Sequence, residues 1–369
     1  MQDKPPAPDL ILDAHLDIAF AALVSGREWT RPVYESRRTE AGSETEMREG
    51  VRVAGLREAL LGRVGIAFGT IFTSPARKGA QFRDDLISYH TPREAYERGL
   101  AQLDYYNRLA DEYANIALIR TQPELDRVLA SWAEGVPFAQ HIFGIVILME
   151  GADPILEPKQ FEEWYERGVR VVGPAWEQTR YSAGTGESGP LTGMGRELLD
   201  VMASFNAVLD LSHLAERACD EALDLYDKTL IASHSNSRKL AGSSERHLTD
   251  SAIRRIGERG GVVGIPMYNR FLKAEWSRAS GGKKEEVTLA DVVSSIDYIC
   301  QLTGSAAHVG IGSDFDGGFG LQSVPAEIDT IIDLTLVAPA LAARGYQPDD
   351  IRAILSGNFL RILRQTLPM

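Results

Sequence analysis

The chain has 369 residues, of which 44% are hydrophobic and 25% are charged, a composition typical of globular proteins. Its formal net charge of −13 argues against nucleic acid or an anionic membrane as a partner, because both attract basic proteins. The N-terminal sequence MQDKPPAPD lacks the apolar segment of a secretory signal, and no apolar run approaches the roughly 20 residues of a membrane span. We therefore expect a cytoplasmic protein whose two cysteines, Cys219 and Cys300, are buried thiols.

Short apolar runs alternate with helical patterns along most of the chain. The runs predict strands at 9–15, 64–72, 143–149, 169–175, 207–212, 229–233, 261–267 and 308–313. Helical patterns lie at 92–113, 159–167, 194–204, 215–227, 250–259, 288–303, 325–343 and 348–366. Nearly continuous apolar strands are typical of parallel strands that are covered on both faces.

This alternation predicts an α/β fold, a (β/α)₈ or TIM barrel, formed by a single domain over residues 1–369. Residues 1–8 are expected to be a disordered or extended tail, and residues 114–120 are a candidate ninth strand. A doubly wound open sheet is the alternative. Polar stretches at 27–50, 177–193 and 273–287 each follow a predicted strand, so in a barrel we expect them to rim the C-terminal opening.

Five of the predicted strands end in residues that can bind a metal ion or transfer a proton. These residues are His15, Asp17, Glu150, His213, His234 and Asp314. Because a barrel brings its strand ends around one opening, we expect these side chains to converge. Three imidazoles and two carboxylates suit one or two divalent ions, zinc best, and Asp314 would then act as the general acid/base. Asp13 shares a face with His15 and Asp17 and is predicted to support a metal ligand.

Several short motifs resemble the membrane (renal-type) dipeptidase family, peptidase family M19, among the amidohydrolase-like barrels. They are DAHLD at 13–17, MEG at 149–151, DLSHL at 210–214, ASHSNSR at 232–238, HVGIGSDFDG at 308–317 and GNFLRIL at 357–363. The resemblance implies two zinc ions, with Glu150 and a hydroxide bridging them. His15 and Asp17 would complete one site, and His213 and His234 the other. It also implies a homodimer.

The resemblance assigns further residues to the substrate. Arg246 would bind the substrate carboxylate, for which a planar guanidinium is well suited. Asp316 is a further candidate for substrate contact. Where the family usually carries a histidine that polarises the scissile carbonyl, this chain has Trp176, whose indole can only donate one hydrogen bond. Arg180, or the metal ions alone, could take over that task.

Together these observations predict a zinc-dependent metallo-dipeptidase, which could accept a D-residue at the C-terminal position. Trp176 motivates an alternative: a metal-dependent hydrolase of N-acyl amino acids, of another small amide or of a lactone. A non-catalytic barrel that binds a ligand is the third interpretation. Among the other histidines, His90, His141 and His308 are predicted to be structural, and His247 is left open.

Overall fold

The computed structural model describes residues 10–76 and 86–369, so the predicted tail at 1–8 lies outside the described residues. The strands are β1 (Ile11–Leu16), β2 (Val64–Phe72), β3 (Ser74–Pro75), β4 (Ser88–Tyr89), β5 (Ile116–Leu118), β6 (Phe143–Glu150), β7 (Val169–Gly173), β8 (Val208–Asp210), β9 (Leu230–Ala232), β10 (Val262–Ile265) and β11 (Val309–Ile311). Each of the eight predicted barrel strands is present, within a few residues of its expected bounds.

Eight parallel strands close into a barrel in the order β1, β2, β6, β7, β8, β9, β10, β11 and back to β1. The pairing of β2 with β6 runs from Ile66 opposite Gly144 to Phe72 opposite Glu150. The predicted barrel is therefore confirmed, and the open sheet is excluded because an open sheet would leave two unpaired edges. β5 is the predicted ninth strand, and it pairs with the beginning of β6 outside the barrel.

The helices cover the outside of the barrel and part of its openings. They are α1 (Ile18–Ser25), α2 (Val33–Glu40), α3 (Glu44–Glu49), α4 (Leu56–Leu61), α5 (Pro92–Glu112), α6 (Gln122–Ser131), α7 (Phe161–Glu166), α8 (Gly193–Ser204), α9 (Glu216–Leu225), α10 (Arg238–Ala241), α11 (Asp250–Glu258), α12 (Asn269–Leu272), α13 (Leu289–Thr303), α14 (Val337–Arg344), α15 (Pro348–Arg352) and α16 (Asn358–Thr366). Among the helices of residues 10–76 and 86–369, none combines the length and the apolarity that a membrane crossing requires.

Two predicted helices are divided. Residues 325–343 include a 3₁₀ segment, Ile331–Leu336, before α14, and in 348–366 a π-helical turn, Ala353–Gly357, separates α15 from α16. Thr330 and Asp333 form a capping box that starts the 3₁₀ segment there. An apolar pattern does not reveal such local changes of hydrogen bonding.

Candidate metal centre

Three imidazoles surround one carboxylate at the C-terminal opening of the barrel. Oε1 of Glu150 lies 3.6 Å from Nε2 of His15, 3.2 Å from Nε2 of His213 and 3.3 Å from Nε2 of His234. Nε2 of His213 and Nε2 of His234 are only 2.9 Å apart. Asp17 and Asp314 also lie close to His15, so all six strand-end residues come together as predicted.

Hydroxyl groups on the far side of the imidazoles determine which ring nitrogens face the cluster. Oγ of Ser233 lies 3.2 Å from Nδ1 of His15 and 2.9 Å from Nδ1 of His234, and it donates its own proton to Asp210 at 2.6 Å. Because the Ser233 hydroxyl proton is already donated to Asp210, the Ser233 oxygen can act toward the two imidazoles only as an acceptor from their Nδ1–H groups. Nε2 of His234, and Nε2 of His15 once a metal ion replaces its second proton, then offers a lone pair, which is the form that binds a metal.

Sequence reasoning missed this supporting layer. Oγ1 of Thr185 lies 2.8 Å from Nδ1 of His213, where it can accept from an Nδ1–H group of the third ring in the same way. Asp210 and Ser233 sit within the motifs DLSH and ASHS, so their positions just before His213 and His234 were a usable signal. Asp13 contacts no imidazole: its carboxylate accepts from the backbone N–H of His15 at 3.3 Å and of Ser313 at 2.7 Å, and the ring of His15 is held by Ser233 instead.

The charges of the cluster favour a bound cation. Burial lowers the pKa of His213 to about 4, and it lowers the pKa of His234 well below its usual range, so both rings are neutral at pH 7. Burial also disfavours the charged form of His15, but Glu150, Asp17 and Asp314 outweigh that effect and raise its pKa to about 10. A metal ion would satisfy the same carboxylates in place of that proton.

The residues therefore fit a metal site. Nε2 of His15 is buried and has no hydrogen-bond partner within the described part of the chain, which is costly for a polar atom unless a ligand satisfies it. Two groups, His15–Glu150–His234 and His15–Asp17–Asp314, each place their candidate ligand atoms within 4.8 Å of one another. Imidazole nitrogens with carboxylate oxygens are the donor set that zinc accepts.

Asp314 is held in a constrained position beside the cluster. Its φ of 60° and the φ of 68° at His213 lie in the left-handed region, which residues other than glycine seldom adopt outside turns and functional sites. Burial raises the pKa of Asp314 well above its usual range, and the carboxylates of Asp17 and Glu150 add to this effect. A Cβ atom at Gly317 would overlap the carboxylates of Asp314 and Asp17, so only glycine fits there.

A cavity of about 460 Å³ opens above the cluster, and Asp17, Glu150, His213, His234 and Asp314 line it. This volume is in the range of small-ligand sites. Arg246 also lines the cavity and is buried. Its guanidinium donates to the carbonyl of His234 at 2.7 Å and to Oγ of Ser235 at 3.1 Å, and it lies over the ring of Phe271.

Of the two candidates to take over the task of the family's histidine, Arg180 is not supported by the structure. Arg180 does not line the cavity, because its guanidinium bonds to Asp153 at 3.1 Å and to the carbonyls of Asp153, Ile155 and Leu156. Trp176 does line the cavity, with its ring centroid 6.1 Å from that of His213.

Asp316 lies apart from the cavity. Its carboxylate accepts from the backbone N–H groups of Val53 and Ala54, and it faces Arg27 at 3.6 Å. These contacts fix the loop after β11 against residues 53 and 54, and they give no support to the predicted substrate contact.

His247 and two of the three polar stretches also contribute to the cavity. His247 is buried, lines the cavity and packs edge-on against Phe271, with ring centroids 5.1 Å apart. The stretch 177–193 supplies Thr185, and 273–287 supplies Glu275, Trp276 and Ser277. None of the residues 27–50 lines this cavity, but Arg27 faces Asp316 after β11, so this stretch does lie at the C-terminal ends of the strands, where it forms α2 and α3.

The sequence profile described as "Membrane dipeptidase (Peptidase family M19)" matches residues 10–368. The chain belongs to this family. The resemblance predicted from the motifs is thereby confirmed, and so is the assignment of the chain to the metallo-dipeptidases.

The chain is also similar to other proteins and to solved structures. A Klebsiella pneumoniae protein from the region 5′ of pqqA is 32% identical over 233 residues, which cover 60% of this chain and 82% of that protein. The solved structure of dipeptidase AC, a family M19 metallopeptidase, has a TM-score of 0.77 at 24% identity, covering 98% of this chain and 99% of that one. A Rhodobacter sphaeroides metallopeptidase, solved with a phosphinate mimic of the dipeptide L-Ala-D-Ala, has a TM-score of 0.76 at 24% identity, covering 97% and 99% of the two chains. At this identity the two structures show that the fold is shared.

Proposed function

We propose that this M19 protein hydrolyses the amide bond of dipeptides with two zinc ions. The observation that carries the proposal is the group of three imidazole Nε2 atoms within 3.6 Å of one Glu150 oxygen. His15 and Asp17 would hold one ion, His213 and His234 the other, and Glu150 would contact both. When bound, the ions supply Lewis-acid polarisation of the carbonyl and lower the pKa of an attacking water.

The protein's own groups supply the remaining chemistry. Asp314 lies within reach of His15 and Asp17, where it can accept a proton from the water and deliver it to the leaving amine. Its raised pKa suits this exchange, because the carboxylate is then a stronger base toward the water and holds the proton more readily until the amine leaves. Arg246, fixed by His234 and Ser235, is the candidate partner of the substrate carboxylate.

The arrangement also supports one alternative substrate class. Trp176 and the engaged side chain of Arg180 leave the carbonyl without the cationic side chain that the family usually provides there. An N-acyl amino acid has a scissile amide and a carboxylate like those of a dipeptide, so the same pocket could accept it. The Rhodobacter sphaeroides neighbour that carries a mimic of L-Ala-D-Ala supports dipeptides, including those with a C-terminal D-residue, as the first choice.

A substrate panel tests this proposal on the zinc-loaded protein. We expect L,L and L,D dipeptides to be hydrolysed with kcat/KM values above those of N-acyl amino acids and lactones. Converting the dipeptide carboxylate to a carboxamide should lower kcat/KM by about 10²-fold, because it removes the charge-assisted contact with Arg246. Turnover of lactones or N-acyl amino acids alone would contradict the dipeptidase proposal, and equal rates for carboxylate and carboxamide would contradict the role of Arg246.

A further inference from the structure

Three aromatic residues form one side of the cavity. Phe20 lies in α1, Phe72 ends β2 and Trp176 follows β7; we call these three residues the aromatic wall. The rings of Phe20 and Phe72 meet edge to face at 5.8 Å, and those of Phe72 and Trp176 at 5.0 Å. All three line the cavity, and they belong to a small apolar cluster, with Val24 and Ile87, that is separate from the main core.

The topology of the barrel places this wall opposite Arg246. Phe72 ends β2, and Arg246 follows β9 along the chain. In the closed order of eight strands, β2 and β9 are four strands apart in both directions, so they face each other across the opening. The metal centre lies between the two sides, because Phe72 is paired with Glu150 and Trp176 neighbours His213.

A substrate that spans the metal centre would therefore meet different chemistry at its two ends. If the C-terminal carboxylate of a dipeptide binds Arg246, its N-terminal residue lies against the aromatic wall. A large apolar side chain gains binding free energy there, because ring surface is removed from water. A carboxylate side chain would lose its hydration against these rings without gaining a counter-charge from the wall.

We propose that the aromatic wall is the subsite for the N-terminal residue of the substrate, and that the enzyme selects dipeptides whose N-terminal side chain is large and apolar. The inference rests on the proposed function, because it takes the amide bond to lie over the metal centre with the carboxylate at Arg246. Trp176 is then a specificity-determining residue that lies where the family usually carries a catalytic histidine.

The test compares Phe-Ala, Leu-Ala, Ala-Ala, Asp-Ala and Lys-Ala on the zinc-loaded enzyme. Full burial of a phenylalanine side chain corresponds to a preference for Phe-Ala over Ala-Ala of about 10- to 100-fold in kcat/KM. Trp176→Phe should keep this ratio within about threefold, because the wall stays aromatic. Trp176→Asn should lower the ratio by more than about threefold, because one of the three rings is lost. Trp132→Phe, which alters a buried tryptophan that does not line the cavity, should leave it unchanged.

A binding measurement separates this inference from the proposed function. Calorimetry on the zinc-loaded protein with phosphinate analogues of Phe-Ala and of Ala-Ala should show the same preference of about 10- to 100-fold, and Trp176→Asn should lower it. Tight selective binding without turnover of any dipeptide would support the subsite and contradict the proposed hydrolysis. Turnover with equal affinities for the two analogues, or a preference for Asp-Ala or Lys-Ala, would overturn the inference while leaving the hydrolysis intact.

Discussion

Replacing Asp314 by asparagine is expected to lower kcat for dipeptides by about 10²- to 10⁴-fold, the range that general acid–base catalysis contributes. The amide keeps nearly the same shape, so the left-handed backbone at this position should be retained, since asparagine tolerates it as well as aspartate does. An amide cannot accept the proton of an attacking water at neutral pH. The loss should therefore fall on kcat, with the metal content at the wild-type level.

The control for this variant is Asp227→Asn, because the Asp227 side chain is 72% exposed and lies outside the cavity. Its kcat and metal content should match those of the wild type. Asp314 also lies within reach of His15 and Asp17, so metal content is the decisive second measurement. If Asp314→Asn loses one ion per chain, Asp314 belongs to the ligand set; if it keeps wild-type turnover, the acid/base role is wrong.

Replacing Glu150 by glutamine is expected to weaken metal binding by more than 100-fold and to reduce dipeptide turnover by at least a similar factor. Substitutions of groups that only support a ligand already cost about 10- to 100-fold in affinity. Glu150 should cost more, because one of its oxygens lies within 3.6 Å of all three imidazoles. A neutral amide would provide the cation with neither the charge nor two equivalent oxygen ligands.

Metal quantification after dialysis against a weak chelator measures this effect. Glu97→Gln is a matched control, since Glu97 is an exposed partner of Arg93 on α5. Wild-type metal content in Glu150→Gln would show that Glu150 contributes no essential ligand. Because Glu150 would contact both ions, we expect Glu150→Gln to lose both of them rather than one.

The sequence allowed the barrel and the convergence of its strand-end residues to be predicted, because both depend on local patterns. A strand buried on both faces needs an apolar residue at nearly every position, so runs such as FGIVILM are visible without any structure. The polar residues that interrupt this pattern, such as Glu150 at the end of β6, stand out for the same reason. A parallel barrel then brings them together by topology alone.

The parts that could not be predicted depend on contacts between distant segments. Arg180 and Trp176 are four residues apart and follow the same strand. The guanidinium of Arg180 donates to carbonyl groups of the 153–156 loop, whereas Trp176 lines the cavity. Asp316 resembles Asp314 in sequence, but its carboxylate is bound to the backbone of residues 53 and 54. The homodimer and the cytoplasmic location stay predictions, because the structure of one chain shows neither a partner subunit nor a cellular compartment.

The most direct test of the proposed two-zinc mechanism is a zinc titration of the metal-free enzyme, with bound metal and dipeptide hydrolysis measured on the same samples. We expect two ions to bind per chain, hydrolysis to be absent without metal, and the rate to reach its maximum when the second ion is bound. A protein that hydrolyses dipeptides at full rate without metal, or that binds no divalent ion at the cluster of His15, Glu150, His213 and His234, would contradict it.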